Sequence, residues 1–130
     1  MSAVNVAALR RHIDELLAPY MLDDSVQAII LLPHTRGARV IRDLDGTALE
    51  IWIPRIRSIV SYAVALHEIG HIRGRYQRSR SVMVRERWAW QWARENALSW
   101  SPAMERVAVK SLFAAQAEQA WRAFRKKARR

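Results

Sequence analysis

Five residues, His67-Glu68-Ile69-Gly70-His71, constrain this chain more than any others. They read H-E-x-x-H, a metal-binding and catalytic signature. On an α-helix, positions four apart sit almost above one another, so both imidazoles can reach one tetrahedral zinc. Glu68 lies about 100° round the same helix, beside the metal position and free of the need to ligate. The preceding run, Ile59-Val60-Ser61-Tyr62-Ala63-Val64-Ala65-Leu66, is apolar nearly all round, and Ile69 and Ile72 continue it. Such a helix is expected to be buried. Burying two imidazoles and a carboxylate costs on the order of several kcal/mol unless they are paired or metal-bound. Gly70 costs a helix about 1 kcal/mol against alanine, and its missing side chain would let another element come close.

At 130 residues the chain is sized for one domain, residues 1–130, with a modest core. Cysteine is absent, which excludes disulfides, thiolate zinc sites and a cysteine nucleophile. No apolar run reaches membrane-spanning length, so no membrane partner is expected. Residues 1–17 are interrupted by Arg10, Arg11, Asp14 and Glu15 and do not read as a secretory signal, which makes a cytoplasmic location the default expectation. The net charge of +10 suits an acidic partner, nucleic acid or plain solubility. Basic residues concentrate at 73–87 and in a tail at about 122–130. Cations in the last turns of a helix also suit its dipole.

The order of elements predicts an α+β fold. An amphipathic helix over 3–18 carries Val6, Leu9, Ile13, Leu16 and Leu17 at helical spacing, and Pro19 is expected to end it. His12, among charged residues, reads as exposed. Residues 26–32 read as a strand covered on both faces, 38–42 as a second strand, and 47–53 as a third after the Asp45-Gly46 turn signal. A small three-stranded, mainly antiparallel meander is the economical arrangement. The motif helix is expected from Ser58 to a Gly74 cap, followed by a polar link from Gln77 to Ser81 and a helix over 82–98. Ser101 and Pro102 open a long last helix to about Lys127, with Phe113, Ala117, Ala120, Trp121 and Phe124 on one stripe. For the tryptophans at 88, 90 and 92, core packing is the expected role.

A catalytic zinc takes three protein ligands and leaves a fourth position open. The pattern H-E-x-x-H-x-x-G-x-x-H is followed as far as Gly74 and then fails, because Gln77 stands where histidine would. Among the downstream carboxylates Glu86, Glu95, Glu105 and Glu118, Glu86 is favoured as third ligand. It follows His71 by enough chain to turn and enter the next helix, and small Ala89 lies near the same face, where it could meet Gly70.

His67-Glu68-Ile69-Gly70-His71 followed by Glu86-Arg87-Trp88-Ala89 resembles the gluzincin pattern of zinc peptidases. More narrowly, the order of elements is similar to that of small ImmA/IrrE-type peptidases and minigluzincins. The specific resemblance covers roughly residues 47–98. It implies one zinc per chain on His67, His71 and Glu86, with Glu68 as general base. Many gluzincins carry an aspartate four residues after the ligating glutamate to brace a histidine; here that position is Trp90. The implied activity is hydrolysis of peptide bonds in a protein or peptide substrate. Zinc lowers the pKa of its water toward about 7, and Glu68 moves the proton from that water to the leaving amine. Tyr76, Tyr62 or an arginine after the motif could stabilise the oxyanion. The strand at 47–53 could hold an extended substrate by strand addition if it lies at the sheet edge. A DNA-binding repressor is the narrower substrate that the resemblance implies. Two other readings stay open: a non-catalytic basic module binding nucleic acid or an acidic protein, and a latent peptidase covered by its C-terminal tail.

Overall fold

The computed structural model describes residues 5–22 and 26–129. Helix α1, Val6–Leu22, is followed by strands β1 Ala28–Leu32, β2 Arg39–Arg42 and β3 Ala48–Pro54, and then by helices α2 Ile59–Arg73, α3 Val82–Asn96 and α4 Pro102–Ala128. This is the expected α+β order, with an N-terminal helix, a small sheet, the motif helix, the glutamate helix and a long C-terminal helix. The expected start of α1 at residue 3 and the last tail residue, Arg130, lie outside the described residues.

Local chemistry explains the helix starts. Ser58, Ser81 and Ser101 cap α2, α3 and α4, each side chain accepting a backbone N–H three residues on. Ser61 returns the favour at α2 by bonding the Ser58 N–H at 3.0 Å, closing a capping box. Gly74 caps the far end of α2 through its N–H to the Gly70 carbonyl. Pro19 does not end α1: the helix runs on to Leu22. Arg73 of α2 grips this turn, donating to the Leu16 carbonyl at 2.9 Å and to the Tyr20 hydroxyl at 3.0 Å. Tertiary contact thus overrides a local stop signal.

The sheet is mixed, not a meander. Its order is β1-β3-β2, with β1 parallel and β2 antiparallel to β3. The β2–β3 hairpin forms where Asp45-Gly46 predicted it, with Gly46 at a positive φ of 88° and the Asp43 carboxylate accepting from Thr47 N–H at 2.9 Å. β1 then takes the other edge of β3. The central place goes to the strand whose Ile51 and Ile53 are fully buried, while β2, bounded by Arg39 and Arg42, keeps an edge. β1 is therefore an edge strand, half-buried instead of covered on both faces, and its Leu31 is exposed.

α2 is the hub. It packs against α1, α3, α4 and β3 and is buried from Ser61 to Gly70 except at Val64. Leu9, Ile13 and Leu17 of α1, Ile51 and Ile53 of β3, Trp90 and Ala93 of α3, and Met104 and Ala108 of α4 complete the core. Tyr62 ties three parts together: its hydroxyl accepts from Leu98 N–H at 3.0 Å and shares a hydrogen bond with His12 Nδ1 at 2.5 Å. His12 is thus half-buried and bonded, not exposed as its charged neighbours suggested. Burial holds its pKa below the usual range against the opposing pull of Glu15. α4 changes character in its outer half. Its stripe of Phe113, Ala117, Ala120, Trp121 and Phe124 does not enter the core; every member is exposed.

Candidate metal centre

The motif helix meets α3 at unusually close range, and Gly70 is the reason. A Cβ at Gly70 would stand 3.0 Å from the carbonyl carbon and 3.1 Å from the Cα of Ala89, and closer still to its carbonyl oxygen. No side chain fits there. The small pair Gly70 and Ala89 lets the helix backbones touch. On α3, Glu86, Ala89, Trp90 and Ala93 recur at helical spacing, and the last three are buried. Glu86 therefore sits on the inward stripe, carried to the two histidines by the approach of the helices.

The result is a three-residue cluster. One ligand atom each from His67, His71 and Glu86 lie within 4.8 Å of one another. Glu86 Oε2 is 2.7 Å from His67 Nε2, and Oε1 is 3.2 Å from His71 Nε2. Ligand atoms on one tetrahedral zinc lie about 3.3 Å apart, given bonds of about 2.05 Å. A slight opening of the trio would admit the ion. Two imidazoles and a carboxylate are also a donor set suited to it, and His71 and Glu86 keep 15% and 20% of their side chains exposed, which leaves a solvent side for a fourth position.

Glu68 stands beside this trio and outside it. Its Oε2 is 3.2 Å from His67 Nδ1, and the residue is buried. The other carboxylates are engaged elsewhere: Glu95 with Gln91, Glu105 with Arg94, and Glu118 with Arg122.

Electrostatics in the metal-free protein follow from this crowding. Burial pushes His67 toward the neutral form, but hydrogen bonds and charge from Glu68 and Glu86 outweigh it and raise its pKa to about 9. Burial likewise opposes ionisation of Glu86, yet the two histidines hold it well below the usual carboxylate range. A proton on His67 thus occupies the place that a cation would take.

The residues that brace the histidines were not found from the sequence. Gln77, read there as part of a polar link, is buried. Its Oε1 accepts from His71 Nδ1 at 2.9 Å, and its amide nitrogen donates to the carbonyls of Arg85 at 2.8 Å and Arg75 at 3.2 Å. Those two carbonyls fix which end of the amide faces His71, and that fixes the proton on Nδ1 and turns Nε2 toward Glu86. Gln77 is preceded by Tyr76 at a positive φ of 60°, a strained conformation for a bulky residue. His67 is braced differently. Trp90, where an aspartate might stand, stacks on it with ring centroids 4.2 Å apart and planes 11° from parallel. Arg42 of β2 holds the His71 backbone by donating to its carbonyl. The only advance signal for Gln77 was its place three residues after Gly74, at the position where a histidine ligand was sought.

Two sequence expectations fail here. Tyr62 cannot serve an oxyanion, because it is fully buried and its hydroxyl is shared between His12 and Leu98. β3 cannot accept an added strand, because it is the central strand. Tyr76 remains exposed, its ring packed edge-on against Trp88. The chain matches no protein-family model, no curated protein and no solved structure.

Proposed function

We propose that this protein is a zinc-dependent metallopeptidase that cleaves peptide bonds in flexible protein segments. The observation that carries the reading is the convergence of His67, His71 and Glu86 with a buried Glu68 at their side. A zinc ion on those three ligands would supply the Lewis acidity that makes water nucleophilic near neutral pH and polarises the scissile carbonyl. The chain's own proton carrier is Glu68. In this reading its carboxylate would take a proton from the attacking water and pass it to the leaving amine. Gln77 and Trp90 brace the two imidazoles, whose Nε2 atoms both face the Glu86 carboxylate.

An extended substrate would add to β2, not β3. β2 pairs only with β3 among the described residues, and Arg42 connects it to the His71 backbone. A latent form covered by the tail would need α4 to move, since its residues from Phe113 onward are exposed apart from Ala115.

The test is cleavage of an unfolded protein such as casein by the zinc-loaded chain, with Glu68→Gln as control. The proposal expects Glu68→Gln to keep its zinc and lose roughly a hundredfold or more in rate. Equal cleavage by the variant, or none by the wild type with zinc bound, would contradict it.

A further inference from the structure

The outer half of α4 has a geometry that the proposed peptidase chemistry does not use. Met104 and Ala108 face the core from the first half of this helix. At about 100° per residue, Phe113, Ala117, Ala120 and Phe124 fall on the opposite side, with Trp121 at the border. Val109, Phe113, Trp121 and Phe124 are 56%, 74%, 53% and 61% exposed. An apolar stripe thus runs along α4 facing away from the body. Trp121 and Phe124 stack at 5.5 Å within it. Arg122, Arg125, Lys126 and Arg129 project from the other side by the same helical count, and Lys127 borders the stripe. Between Phe113 and Arg129 the only acid is Glu118, already paired with Arg122 at 2.9 Å.

The occupant of this surface must satisfy two chemistries at once. Duplex nucleic acid would neutralise the cations and leave three aromatic rings in water, and a single strand stacking its bases on the rings would run along the face opposite Arg122, Lys126 and Arg129. A second copy would cover the stripe but bring two chains of net charge +10 together. An anionic bilayer surface does both: aromatic side chains enter the headgroup boundary, and the cations meet lipid phosphates and carboxylates. The body lies on the far side of α4 and does not obstruct a flat surface. No helix among the described residues is long and apolar enough to cross a membrane, so the contact would lie in the plane. It departs from the sequence expectation of no membrane partner, which rested on the lack of a spanning run.

We propose that the outer half of α4 is an amphipathic surface helix that docks the protein on anionic phospholipid membranes. The experiment is co-sedimentation of the full chain with phosphatidylcholine vesicles, with and without phosphatidylserine. Binding is expected only with phosphatidylserine, and it should fall by roughly tenfold or more both in Trp121→Ala/Phe124→Ala and in Arg125→Glu/Lys126→Glu. These positions touch nothing in the core, so melting temperature and zinc content should match the wild type. The proposal is overturned if the anionic vesicles bind nothing at low salt. Full binding by the aromatic double variant would overturn it too, since mere polycation adsorption would then suffice. So would displacement of the protein from the vesicles by duplex DNA that binds wild type and the aromatic variant alike.

Discussion

Helix α2 and the outer half of α4 both carry apolar residues at helical spacing, and the fold treats them in opposite ways. α2 is surrounded by three helices and a strand, and even its His67 and Glu68 are buried. The outer half of α4 is exposed on every side except at Ala115. The difference lies in what each helix can pack against. α2 has Gly70 against Ala89, the sheet beneath it and α1 alongside, so its polar groups are buried together and must satisfy one another. In α4 the bulky groups that reach the core side, Met104, Val107 and Leu112, belong to the first half; beyond them the core-facing direction carries Arg122 and Lys126. An apolar stripe becomes core only when a partner surface exists to receive it.

Truncation should separate the two regions most strongly. Leu66→Ala, at a fully buried position of α2, is expected to lose about 2–5 kcal/mol of stability. Phe113→Ala should stay within about 0.5 kcal/mol. Denaturant midpoints measure both, and similar losses would break the comparison.

The buried site should also respond to pH where the outer helix does not. The pKa of His67 is raised from 6.5 to about 9 in the metal-free fold. Its protonated form therefore stabilises the metal-free protein fully below pH 6.5, and that contribution is lost as pH rises through about 9. Zinc competes with the same proton, so zinc affinity should climb over this interval. Calorimetric zinc titrations at several pH values check the sign; a flat profile would count against the placement of His67.

Close packing makes a third contrast. Gly70→Ala should cost about 1–3 kcal/mol by forcing α2 and α3 apart, and should weaken zinc retention by moving Glu86. Ala117→Leu in α4 should change neither. The finest test concerns Gln77. Gln77→Ala should lower zinc affinity by roughly 10–100-fold, and should also cost the metal-free chain about 1–3 kcal/mol by leaving His71 Nδ1 and two backbone carbonyls without their partner. Gln77→Glu keeps an acceptor for His71 Nδ1 but sets a carboxylate oxygen against the Arg75 and Arg85 carbonyls, so it should not restore wild-type affinity.

What the sequence made legible follows the range of the interactions. The cap Ser101 acts within one turn and was readable as a local pattern, while Ser58 and Ser81 were read only as the start of a helix and the end of a link. His67, Glu68 and His71 share one helix, so spacing alone related them. Glu86 was reachable because small residues at Gly70 and Ala89 hinted at close helices. Gln77 was not, since its partners Arg75, His71 and Arg85 meet it only after the chain has turned. The place of β3 between β1 and β2 depends on which strand the helices cover, and Pro19 stays helical because Arg73 reaches it from another element. The stripe on α4 was legible as a stripe, but spacing records a face and not what lies opposite it.

Whether His67, His71 and Glu86 form one zinc site is decided by the metal content of protein purified without added metal, for the wild type, His71→Ala and Glu86→Ala. One tightly held zinc per chain is expected, lost in His71→Ala and weakened in Glu86→Ala. A wild-type chain that holds no zinc even after zinc is supplied would contradict that site.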